Sequence, residues 1–110
     1  MSNYLKSDII IVRYYFTDYS NYKIRPAVVI NSPHPSEDLI IVPITSRIIN
    51  LLQGEFVIEN WRDSGLNVKS AIKRAIFTVS ERIVISRVSR LESNDYYRLE
   101  LSIKNWLGLT

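Results

Sequence analysis

Residues 8–16 read DIIIVRYYF, and seven of these nine are β-branched or aromatic. That composition at that length predicts a β-strand. Working outward, Thr17–Lys23 (TDYSNYK) is polar and turn-rich and reads as a loop. Pro26–Asn31 (PAVVIN) reads as a second strand, whose opening proline suits a strand start or an edge. Ser32–Asp38 (SPHPSED) holds two prolines and reads as a loop in which His34 is exposed and without a role. Leu39–Ile44 (LIIVPI) is a third strand with an end made irregular by Pro43. A short strand follows at Glu55–Ile58, then one helical turn over Glu59–Gly65 closed by Gly65. Ser70–Val79 and Arg82–Val88 each read as a strand.

The last element has a different period. Tyr96, Leu99, Ile103, Trp106 and Leu107 fall on one face of an α-helix. Ser93 is the expected N-cap, Asp95 suits the first turn, and Gly108 is placed to end the helix. Trp106 is expected in core or dimer packing. Short strands followed by one amphipathic helix predict a mainly β fold, a small curved antiparallel sheet or barrel packed by a C-terminal α-helix. At 110 residues, a single domain over 1–110 is expected.

Composition excludes several chemistries. The chain has no cysteine, which removes disulfides, thiolate zinc sites and a thiol nucleophile. It has one histidine, so neither a multi-imidazole metal site nor a histidine acid–base pair can form. No metal or cofactor is expected. The apolar runs Ile9–Val12 and Leu39–Ile44 are far shorter than the ~20 residues that span a bilayer. The N-terminus MSNYLKSD lacks an apolar stretch, so no signal peptide is visible and a cytoplasmic location is expected. The net charge is +3, but Arg62–Arg90 alone carries +5, a candidate footprint for a polyanion.

Four blocks occur in order: SDIIIVRYYFTDYS (7–20), KIRPAVVIN (23–31), DLIIVPITSRI (38–48) and SGLNVKSAIKRAIFTV (64–79), before a helix ending WLGL. This ordered set resembles the MazF/PemK family of type II toxin–antitoxin toxins, along nearly the whole chain. The resemblance implies an SH3-like barrel of the MazF/PemK/CcdB type and a homodimer. It also implies sequence-specific, metal-independent endoribonuclease action on single-stranded RNA such as mRNA, and inhibition by a cognate antitoxin. Departures from the family pattern are visible. Ser7-Asp8 stands for a common Gly-Asp, the first loop has neither glycine nor histidine, and Lys73-Arg74-Ala75 replaces a usual Arg with a nearby Asp.

Such cleavage makes the 2′-OH the nucleophile and leaves a 2′,3′-cyclic phosphate and a 5′-OH. The site must move two protons and stabilise negative charge on phosphorus. Arg25 is the first candidate, because a guanidinium fits phosphate oxygens with a rigid fork of donors. As an arginine it is a poor base, so its role is electrostatic, with proton donation a further possibility. Thr45, the matching family position, and Ser46 carry hydroxyls that donate to a non-bridging oxygen. Lys23, Lys73 and Arg74 are candidate RNA contacts, with Arg74 alternating to the other strand face. Asp18 is the acid nearest the Arg25 loop, a base or a turn cap. Tyr14, Tyr15, Phe16, Tyr19 and Tyr22 cluster at the same end, some in the core and others free to stack on unpaired bases. The antitoxin is expected to present a disordered, acidic segment with apolar side chains. Two other readings stay open on this fold: a non-enzymatic protein poison acting through an exposed helix end, as in CcdB, and a catalytically weakened RNA-binding relative.

Overall fold

The structure, a computed structural model, describes residues 3–15, 21–31 and 33–109. Among these residues seven antiparallel strands form one sheet: β1 (Asp8–Tyr15), β2 (Tyr22–Val29), β3 (Asp38–Thr45), β4 (Phe56–Val57), β5 (Ala71–Ile72), β6 (Phe77–Ser80) and β7 (Val84–Arg90). An α-helix, α1 (Ser93–Leu107), follows β7. The strand order is β4-β5-β3-β2-β1-β7, with β6 also paired to β3.

The apolar runs of the sequence follow from a sheet buried on both faces. One face packs Ile9, Val28, Val42, Ile44 and Ile72 against Tyr96 and Leu99 of α1. The opposite face packs Ile10, Val12, Ala27, Val29, Leu39 and Ile41, all 1% exposed or less. A strand with a core on each side has no polar alternation to display, which is why its pattern is continuous.

Several boundaries differ from the sequence reading. β2 begins at Tyr22, so Tyr22 and Lys23 belong to a strand and Pro26 lies mid-strand. Pairing of β2 with β3 begins only at Ala27, so at Pro26 the strand is bonded to β1 alone, an edge-like position that tolerates the missing N–H. The expected strand Ser70–Val79 is two short strands, β5 and β6. Their registers on β3 differ by two residues, so Lys73–Ile76 bulges out opposite Val42 and Pro43. Pro43 is the cause: its carbonyl accepts from Lys73 N at 3.0 Å, but it has no N–H to return to that ladder. Arg82 and Ile83 sit in a 3₁₀ turn, Glu81–Ile83, ahead of β7.

The two glycine-closed ends form as expected. Leu66 N bonds Trp61 O and Gly65 N bonds Arg62 O, while Leu109 N bonds Lys104 O and Gly108 N bonds Asn105 O. Both are Schellman motifs, with Gly65 at φ 79° and Gly108 at φ 69°. The expected Ser93 cap is not formed: the N-cap is Glu92, with no side-chain capping bond. Asp95, fully buried, instead accepts from the N–H groups of Glu59 and Asn60 at 2.9 Å, tying α1 to the 59–65 turn. Trp106 packs against the core and donates to Gln53 O at 3.1 Å, whereas Leu107 is 55% exposed, off the packed face.

Candidate functional site

Directly paired residues of antiparallel strands share a face. Ile10 pairs with Ala27, Val12 with Arg25, and Tyr14 with Lys23. The same face therefore runs from buried Ile10 and Ala27 into two cations. The β1–β2 ribbon outgrows its other neighbours at this end, which leaves Arg25 and Lys23 exposed on a rigid strand.

A cavity of about 450 Å³ opens there, within the ~300–1,000 Å³ range of small-ligand sites. It gathers Lys23, Arg25, Thr45, Ser46 and Lys73, five residues singled out from sequence, with Arg47, Tyr14 and Phe77. Three segments supply them: the β1–β2 ribbon, the corner after β3, and the β5–β6 bulge. A larger hollow of about 580 Å³ lies at Lys6, Arg90 and Tyr96. Its cations are already paired, Lys6 with Glu100 at 3.6 Å and Arg90 with Asp8 at 3.4 Å.

Arg25 Nη1 donates to Ile24 O at 2.9 Å and forms no ion pair among the described residues, which leaves its other donors for a ligand. Thr45 Oγ1 accepts from Arg47 N at 3.1 Å, an ST-turn that closes the corner. The hydroxyl proton remains available, so the turn and phosphate donation are compatible. Tyr14 is half-buried with its ring 5.9 Å from Phe77, and its hydroxyl has no hydrogen-bond partner among the described residues. Burial pushes the Tyr14 phenol up to about 12, so it stays protonated.

Arg74 is not part of this cavity. It lies on the other side of the bulge, beside Leu52, Asn105 and Trp106. Asp18, Phe16 and Tyr19 fall outside the described residues, as does the side chain of Tyr15. Tyr22 stands on the opposite face of the ribbon, 45% exposed. His34 is exposed, but its Nδ1 accepts from Ser36 N at 3.1 Å and so holds the turn of its own loop. The basic run 62–90 does not make one groove. Lys73 enters the cavity, Arg62 and Lys69 border a hollow with Trp61, and Arg87 and Arg90 flank Asp8. Among the described residues no group of three or more His, Cys, Asp and Glu is placed to hold a metal ion.

Three residues at or beside the cavity were not singled out from sequence: Arg47, Phe77 and Glu55. Arg47 adds a guanidinium whose Nη1 donates to Ile49 O and Asn50 O at 3.3 Å. Phe77 adds a ring 45% exposed. The Glu55 side chain is only 2% exposed and lies 3.9 Å from Arg47. Burial works to raise its pKa, but the N–H groups of Arg74 and Leu52 and the charges of Arg47 and Lys73 outweigh it and hold it below the ordinary value. Periodicity reads Glu55 as a strand start, and only the fold brings Arg74 to it.

A family model of the PemK-like, MazF-like toxins of type II toxin–antitoxin systems matches residues 6–107. The chain belongs to this family. No curated protein sequence matches it. Among solved structures, this toxin-family chain resembles an endoribonuclease in complex with its cognate antitoxin from a mycobacterial species, at TM-score 0.79 and 11% identity, covering 97% of both chains. It resembles MazE–MazF of Deinococcus radiodurans at TM-score 0.80 and 12% identity, again over 97% of both chains. The Mycobacterium tuberculosis toxin MazF-mt6 gives TM-score 0.73 at 21% identity, over 92% of this chain and 96% of that one. At such identities the likeness establishes the fold, the antiparallel sheet with a C-terminal helix that MazF toxins share.

Proposed function

We propose that this PemK/MazF toxin is a sequence-specific endoribonuclease that cleaves single-stranded RNA without a metal ion, the toxic half of a type II pair. The observation that carries the reading is the cavity itself. One strand-mounted guanidinium, two hydroxyls and two lysines converge on a space open to solvent, with aromatic rings beside them.

In the proposed reaction the 2′-oxygen attacks the adjacent phosphorus. The O2′–P bond forms, the P–O5′ bond breaks, the 2′-OH proton leaves to a base, and a proton is delivered to O5′. Arg25 stabilises the added charge on the non-bridging oxygens. Thr45 donates its hydroxyl proton to one of them, and Lys73 and Lys23 hold flanking phosphates. Phe77 offers a ring face to an unpaired base. The solved relatives named as endoribonucleases support the reaction class, and those bound to antitoxins support a protein inhibitor. We assign that inhibitor an acidic, apolar, disordered segment that occupies the same cavity. A homodimer acting in the cytoplasm completes the reading, and none of the described helices is long and apolar enough to cross a membrane.

The test is incubation of purified protein with a long single-stranded RNA in excess chelator. Discrete fragments are expected, with 5′-OH ends at a common sequence. An intact RNA at every enzyme concentration contradicts the proposal. The protein-poison reading requires Trp106 and its neighbours exposed: that ring is half-buried and bonded to Gln53 O, while Leu107 and Leu109 beside it are exposed.

A further inference from the structure

Thr45, Ser46 and Arg47 sit on the corner that opens the β3–β4 connection, and Lys73 sits on the bulge that Pro43 forces between β5 and β6. The main chain joins these two walls at their base, where Thr45 pairs with Ala71 and Lys73 N donates to Pro43 O at 3.0 Å. One side chain bridges them. Glu55 Oε1 accepts from Leu52 N at 2.7 Å, and Glu55 Oε2 accepts from Arg74 N at 2.7 Å. Arg47 Nη2 closes on Oε1 at 3.9 Å. Both carboxylate oxygens are thus engaged, Oε1 by Leu52 N of its own turn and by the Arg47 guanidinium of the corner, Oε2 by the main chain beside Lys73, at a side-chain exposure of 2%.

We propose that Glu55 is a positioning residue of the cleavage site, holding the Arg47 guanidinium and the bulge main chain beside Lys73 in place. The inference rests on the ribonuclease reading above for its kinetic consequence. Glu55 is no candidate for the base, because its oxygens are engaged by N–H donors and its charge is stabilised rather than poised to accept a proton. It also has an anchor. Gly54, directly before it, adopts φ 85° against the Trp106 ring, and its carbonyl accepts from Ser102 Oγ at 2.7 Å. Gln53 O accepts from Trp106 Nε1. The helix therefore fixes residues 53 and 54, and Glu55 carries that fixed position to Arg47 and the bulge. Arg74, which does not enter the cavity by its side chain, contributes through its main-chain N–H.

A Gln at 55 keeps the shape but offers only one acceptor oxygen, so one of these contacts is released. A misplacement of about 1 Å in a site of this kind costs on the order of 100-fold in rate. Glu55→Gln is expected to lower kcat/KM by roughly 10- to 100-fold. In a Lys73→Ala background the same substitution is expected to cost far less, because one of the groups it positions is gone. Equal losses in both backgrounds, or wild-type kcat/KM for Glu55→Gln, overturn the proposal. A second measurement needs no activity and no variant. In the wild type, the Leu52 and Arg74 amides are expected to exchange with solvent slowly for residues in exposed segments, and fast exchange at both overturns the proposal. If the wild-type protein cleaves no RNA, the ribonuclease reading fails alone, and the amide measurement still decides whether Glu55 holds these main-chain groups.

Discussion

At the scale of single residues, Arg25 carries the account. It is aimed by a paired strand and bonded only to its neighbour's carbonyl among the described residues. Arg25→Ala is expected to lower cleavage about 10²–10³-fold while the melting temperature barely moves, since the side chain is exposed. Single-turnover cleavage and thermal unfolding check the two halves. Thr45→Ala is expected to cost less in rate, because it removes one neutral donor. Tyr14 gives a prediction of opposite sign. Its buried hydroxyl has no partner among the described residues, so Tyr14→Phe is expected to stabilise the fold by about 1 kcal/mol, read by denaturant unfolding. The resemblance singles out Arg25 and Thr45; the local pattern alone does not, since it reads Arg25 as a loop–strand junction whereas Arg25 lies inside β2. Glu55 is singled out by neither, since its meaning depends on Arg74, nineteen positions away, folding back to it.

At the scale of elements, the β5–β6 bulge decides which cations face the site. The sequence reads as one strand over Ser70–Val79, with two adjacent cations within it. What breaks that strand is Pro43 on its neighbour, and strand pairing is not written in local composition. The bulge sends Lys73 into the cavity and Arg74 to the Trp106 side. Lys73→Glu is therefore expected to weaken RNA binding at least tenfold, while Arg74→Glu leaves it within about twofold, as measured by filter binding at low salt. Equal losses from both substitutions would place the RNA path elsewhere. The α1 end is read the same way. Its Gly108 stop was visible as a residue type, whereas its N-cap was not, because Glu92 takes that place without a side-chain capping bond, and Asp95 in the first turn bonds Glu59 and Asn60 across the fold. Gly54→Ala is expected to destabilise the protein by more than 1 kcal/mol, since a Cβ at φ 85° would strike the Trp106 ring.

At the scale of the whole molecule, two aromatic hydroxyls bear on the alkaline limit of the fold. Tyr14 and Tyr96 are both raised from 10.0 to about 12, the second by burial and by the Glu100 charge. A raised folded-state pKa means that the unfolded chain loses these protons first. The stabilisation is complete below pH 10 and is expected to fall between about pH 10 and 12, a decline that unfolding curves across this range would show. Glu55 sets the opposite limit: its lowered pKa gives stability that is lost as the pH falls below the ordinary carboxylate range. The fold class was legible because continuous apolar strands and one periodic helix are whole-chain signals. The gathering of three segments around one cavity was not, because it depends on register and on a two-residue bulge. The central claim is that this cavity cuts RNA by itself, with Arg25 as the charged donor. The most direct measurement is the sequencing of RNA ends after incubation with wild-type and Arg25→Ala protein in excess chelator. The account predicts 5′-OH fragments sharing one sequence motif with wild type and their loss with Arg25→Ala. Fragments that require a divalent ion, or that persist at an undiminished rate without Arg25, would contradict it.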